Sequence, residues 1–171
     1  ISDEHISATH ETIAGRVTII SNDPGGEHGT SVASVAAGNS ASFVGTAPNA
    51  SILFGTYWDD QDLANLGQQA LARGAVAWNN SWGYSGLGLN QSGFNTAFLN
   101  GTTSSLNYLA ALDAYAAQGV VVFAVDNVTH QHATLMDGLP YLRPSLEAGW
   151  IAAANGVPTI SGGQVTGVHL L

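Results

Sequence analysis

The chain has 171 residues, enough for one domain with a sizeable core and short for two. Charged residues make up 9% of it, lysine is absent, and three arginines face twelve carboxylates for a net charge of −9; a nucleic-acid partner, which needs cations along a row of phosphates, is disfavoured. Cysteine is also absent, which removes disulfides, thiol nucleophiles and thiolate metal sites together.

Five short apolar runs recur along the chain. RVTII (16–20), SILFGTYW (51–58), AVAWNNSW (75–82), VVVFAV (120–125) and WIAAA (150–154) each read as a buried strand. Their continuous apolarity, rather than alternation, suits a parallel sheet covered on both faces. Between them, HGTSVASVAAG (28–38) and DLANLGQQALARG (62–74) read as helices, the second with Leu63, Leu66, Ala70 and Leu71 turned inward and Gly74 as its stop. SSLNYLAALDAYAAQG (104–119) repeats the design. Leu106, Leu109, Ala110, Leu112 and Ala116 form its expected buried face, Ser104 or Ser105 its N-cap and Gly119 its C-terminal glycine.

Strands and helices alternating at this spacing imply right-handed βαβ units, hence an α/β fold of three layers with a mainly parallel sheet flanked by helices. Sites in such sheets form at the carboxyl ends of strands. The loops after Ser81 and Val125 are therefore the places to search, and the polar, glycine-rich stretch 83–103 is a long insertion at one of them. No apolar run approaches the ~18 residues of a membrane span, and no basic-then-apolar leader opens the chain. Low charge with abundant glycine, serine, asparagine and threonine suits a secreted protein. Both ends read as cuts through a larger domain, VTGVHLL (165–171) as the start of a buried strand.

His28 opens the first helix, followed by Gly29, Thr30 and the small residues Val32, Ala33, Ala36 and Ala37. A helix of this kind packs closely and fixes its first imidazole at a sheet edge, as a general base requires; the plain alternative is a polar residue near a helix start. His28-Gly-Thr-x-Val-Ala-x-x-Ala-Ala-Gly resembles the histidine motif of the subtilisin-like serine proteases. Three further stretches resemble that family in order. FVGTAPNASILFGTYW is similar to the strand after the histidine helix, VAWNNSWG to the strand that pairs with extended substrate, and AAQGVVVFAVDN to the element ending in the oxyanion asparagine.

The resemblance implies roles residue by residue. His28 is the general base of a Ser-His-Asp triad, and Asn127 donates its side-chain amide to the oxyanion, although Asp126 stands where the family usually has glycine. Ser81, Trp82 and Gly83 hold substrate by backbone hydrogen bonds, with Asn79 structural beneath them. The triad aspartate has two registers. ISATHETIAGRV (6–17) fits the family's stretch after that residue and makes Asp3 the aspartate, with Glu4 and His5 replacing the usual Ser-Gly; Ile1 and His5 also stand four apart, which would place it before residue 1.

The nucleophile has no counterpart. GTSVAS (29–34) imitates the family's nucleophile motif but follows His28, precedes the substrate strand and lacks the proline, so Ser31 is a variable position of the histidine motif. Ser145 and Ser161 lack the preceding Gly-Thr and the small-residue helix. His130 and His132 have a spacing that could hold a metal, with no third or fourth ligand in view. No cofactor is implied; calcium, known in the family, has no readable site.

LPYLRPSLEAGWIAAANG (139–156) resembles the segment before the last core strand in the subtilase passenger domains of bacterial autotransporters. It implies export to the medium or the cell surface, with membrane attachment only through a C-terminal translocator. The whole chain, 1–171, then reads as part of a subtilisin-like peptidase domain, incomplete at its C-terminal end: a serine endopeptidase by family, acting on polypeptides and inactive without its serine. The alternative is a non-catalytic module that binds extended peptides along the Ser81–Gly83 edge.

Overall fold

The structure is a computed structural model and describes residues 1–84, 86–125 and 133–170. In chain order it contains β1 (Val17–Ile19), α1 (His28–Ala37), β2 (Ile52–Phe54), α2 (Asp60–Ala72), β3 (Ala77–Asn80), α3 (Gln91–Phe94), a π-helical turn (Asn95–Leu99) and α4 (Thr103–Ala116). Then follow β4 (Val120–Ala124), two 3₁₀ turns (Leu139–Tyr141, Pro144–Gly149), β5 (Trp150–Ala153), β6 (Gly156–Ser161) and β7 (Gln164–Leu170). All five apolar runs contain a strand and all three helical stretches a helix. β1 and β2 pair in parallel, as do β3, β4 and β5.

Residues 1–3 join the two sets. The Ser2 amide donates to Asn79 O at 3.0 Å, and the Asp3 amide to Gly55 O at 3.2 Å. Gly55 N donates back to Ile1 O at 3.1 Å. The N-terminal segment is thus a central strand between β2 and β3, three residues too short and too polar to stand out by pattern.

Side chains alternate across a strand, so neighbours on β2 report which helix covers which face. Phe54 meets α1: a Cβ at Gly29 would lie 2.8 Å from its ring. Gly55 meets α2, with no room for a Cβ under Leu66. Helices therefore cover both faces. The steps β1 to β2 and β2 to β3 run in the same direction across the sheet, yet α1 and α2 lie on opposite sides. The two crossovers are of opposite hand, which corrects the expectation of uniformly right-handed units; the close fits at Phe54–Gly29 and Gly55–Leu66 decide it.

α4 packs on α2 with a face shifted from the expected one. Tyr108, Leu109, Ala111, Leu112 and Tyr115 are buried, while Leu106 is 48% exposed and Ala110 is exposed. Tyrosines bury more area than leucine, and the Tyr115 hydroxyl finds Ala75 O at 2.9 Å, so their stripe wins. The N-cap is Thr102, not Ser104 or Ser105. Gly119 has no left-handed φ and is instead needed for close packing, since a Cβ there would sit 2.8 Å from Val76 O. β6 and β7 form an exposed antiparallel hairpin, contrary to the buried strand expected at VTGVHLL.

Candidate active site

Asp3 leaves the sheet at the carboxyl end of the central strand, with 2% of its surface exposed. Its Oδ1 accepts the Glu4 amide at 2.8 Å and faces His28 Nδ1 at 2.7 Å. A carboxylate so placed holds the imidazole with its proton on Nδ1 and leaves Nε2 as the free acceptor. The His28 side chain is 53% exposed, so that nitrogen can meet a ligand from solvent. Among the described residues Asp3 Oδ2 is buried without a partner.

The sequence around His28 explains its placement. Gly25 and Gly26 both adopt positive φ (129° and 77°), which turns the chain sharply into α1. The helix then seats against the N-terminal segment: a Cβ on Gly29 would stand 2.4 Å from His5 O. Ala33 and Ala37 are buried one and two turns on, so small residues let α1 approach Ile6, Ile13 and Phe54.

The chain runs off β3 into Ser81, Trp82 and Gly83, none of which has a backbone–backbone partner among the described residues. Trp82 does not project: its ring lies 4.7 Å from Tyr57 and 5.3 Å from Phe123, centroid to centroid, and anchors this edge to the core. Gly83 is exposed, its φ is not positive, and a Cβ would meet open space. Asn79 braces the edge through Nδ2 to Ser81 Oγ at 3.0 Å. The fully buried asparagine is its neighbour Asn80, which donates to Trp78 O and Val122 O.

Tyr57 lies between this edge and the Asp3–His28 pair. Burial pushes its phenol up, and the carboxylates of Asp3 and Glu4 push the same way. Tyr84 is raised by burial and by donating to Asp60 Oδ1 at 2.6 Å. Both phenols therefore stay neutral across the physiological range.

Asn127, His130 and His132 lie outside the described residues. Ser31 is exposed and returns its hydroxyl to Glu27 O on its own helix. Ser145 donates to Asp113 Oδ1 at 2.8 Å beside an Arg143–Asp113 ion pair, which makes the RPSLEAGW stretch a brace on α4. Ser161 sits on the exposed hairpin. No serine hydroxyl among the described residues bonds His28, and none of their His, Asp and Glu side chains form a group of three able to hold a metal. Sequence reasoning missed Glu4, whose amide meets the adjacent Asp3, and it missed Asn22, Thr30 and Tyr57, which act near the pair only through residues distant in the chain.

The site thus brings together a buried carboxylate, a half-exposed imidazole oriented on it and a strand edge with no backbone partner among the described residues. The chain belongs to the subtilase family, whose family model matches residues 2–159. Two solved structures share the fold. The prenylagaramide maturation protease PagA is similar at 18% identity and a TM-score of 0.64, over 90% of this chain and 51% of that one. The nisin leader peptidase NisP from Lactococcus lactis is similar at 18% identity and a TM-score of 0.56, over 83% of this chain and 46% of that one. The chain thus spans about half the length of these structures. No curated protein matches it. No helix among the described residues is long and apolar enough to cross a membrane.

Proposed function

We propose that this chain is the base-bearing part of a subtilisin-like serine endopeptidase. The 2.7 Å contact between Asp3 Oδ1 and His28 Nδ1 carries the reading. His28 Nε2 takes the proton of a nucleophilic serine as that oxygen attacks the substrate carbonyl, then passes the proton to the departing amine. Asp3 fixes the tautomer and stabilises the imidazolium that forms, a charge that a buried carboxylate holds well. Of the two registers for the aspartate, the contact supports Asp3 over a residue preceding Ile1.

In this reading the substrate lies along Ser81–Gly83 as an added strand, with Gly83 letting its backbone come close, and the oxyanion-stabilising role belongs to Asn127 on the strength of the family motif alone. The nucleophilic serine is supplied from outside residues 1–171, and the protein acts outside the cytoplasm, secreted or at the cell surface. The open edge at Gly83, together with the finding that no serine hydroxyl among the described residues bonds His28, also favours the second reading, a module that only binds extended peptides.

One experiment separates them. The full-length protein, assayed on an unstructured polypeptide, is expected to cleave it and to lose cleavage in His28→Ala. Binding without cleavage selects the binding module, and cleavage undiminished in His28→Ala removes His28 from the mechanism.

A further inference from the structure

We propose that Asn22 is a positioning residue for the Asp3–His28 pair, an inference that rests on the catalytic reading of that pair. The start of α1 lacks the usual local anchors. Its N-cap, Glu27, makes no side-chain capping bond, and the approach to it is Pro24-Gly25-Gly26, with both glycines in the positive-φ region. Within the helix the first turn is held by the Ser31 amide and hydroxyl on Glu27 O, with no side chain capping it, yet His28 must hold a hydrogen bond to a residue 25 positions away.

The fixing is done from the other side. Asn22 uses its side-chain amide as a surrogate strand: Oδ1 accepts the Ile6 amide at 3.1 Å and Nδ2 donates to Ile6 O at 3.0 Å. Both polar groups of a residue only 1% exposed are thereby satisfied by one side chain. Two further links run parallel to it. His5 Nδ1 bonds Asp23 O, and the Ser7 amide donates to Thr30 Oγ1 at 2.8 Å. Residues 5–7, which continue directly from Asp3, are tied at three successive points to residues 22–30, which lead into and through His28. Asn22 is the one of the three that grips through two bonds, and it stands where the glycine-rich loop begins. Removing it takes away two of the four bonds that tie residues 5–7 to residues 22–30, and the loop that leads into His28 loosens relative to the segment that carries Asp3.

Misplacement of about 1 Å at a reacting group costs up to ~10²-fold in rate. For Asn22→Ala in the full-length protein the expected result is a fall in kcat of about 10-fold with KM within two-fold of wild type. The downfield proton resonance of the His28 Nδ1–H bond is expected to broaden or vanish. Asn22→Asp keeps the acceptor for Ile6 N–H and loses the donor, so it shows a smaller loss in both readouts and serves where the alanine variant does not fold. Tyr115→Phe, which removes a hydrogen bond in the far core, lowers the melting temperature and leaves both readouts alone. An unchanged resonance and unchanged kcat in Asn22→Ala and Asn22→Asp overturn the proposal. If the wild-type protein cleaves no peptide, the protease reading fails while the resonance still decides whether Asn22 holds the pair.

Discussion

The two faces of the sheet are built differently. One covers a large aromatic core in which Trp78, Tyr108, Tyr115, Phe98 and Phe123 are fully buried between β3, β4, α2 and α4. The other covers six buried residues, Ile6, Ile13, Ala33, Ala37, Ile52 and Phe54, under α1. Asp3 and His28 belong to the thin side, where hydrogen bonds rather than bulk set positions. Stability resides mainly in the aromatic core and the proposed function in the cross-linked corner, and substitutions should separate the two.

The largest effect is expected at the corner. Asp3→Asn should lower kcat by about 10⁴-fold, a magnitude taken from serine-protease triads in general, while the melting temperature shifts far less than the rate suggests. Steady-state kinetics beside a thermal melt checks both halves. Trp78→Ala strikes the other region. It empties a fully buried ring site and removes the Nε1 bond to Ser2 Oγ at 2.6 Å, so the loss should be about 3–5 kcal/mol by denaturant titration.

Gly29→Ala tests the seam between the regions. Its new methyl meets His5 O and the Phe54 ring, which pushes α1 off the sheet. Roughly 1–3 kcal/mol of stability should go, with activity falling further than Ala33→Gly reduces it. The smallest effect is alkaline. Burial pushes the Tyr115 phenol up to about 12 from its ordinary 10. The unfolded chain then loses that proton first, so the contribution is complete below pH 10 and is lost as pH rises toward 12. Tyr115→Phe should flatten the alkaline limb of a stability–pH curve.

Most of the architecture was legible because its signals are local. Continuous apolar runs located β1 to β5, and Gly74, with φ +76°, stops α2 as its sequence position suggests. What escaped depends on distant partners. Ile1–Asp3 is a strand only because Gly55 and Asn79 flank it, and α4 turned its tyrosines inward only because Ala75 and the aromatic core were there to meet them. His28 was readable from its motif, and Asp3 stood in one of two registers that sequence alone left open. Asn22 was invisible, since a turn asparagine and a side-chain clamp on Ile6 look the same in a linear chain.

The most direct measurement of the central claim is labelling of the full-length protein with a fluorophosphonate, which reacts with a serine activated by its base. Rapid labelling of a single serine in wild type, slowed by at least ~10³-fold in both His28→Ala and Asp3→Asn, is the predicted result. Labelling at the wild-type rate in either variant contradicts the claim that Asp3 and His28 form the working pair.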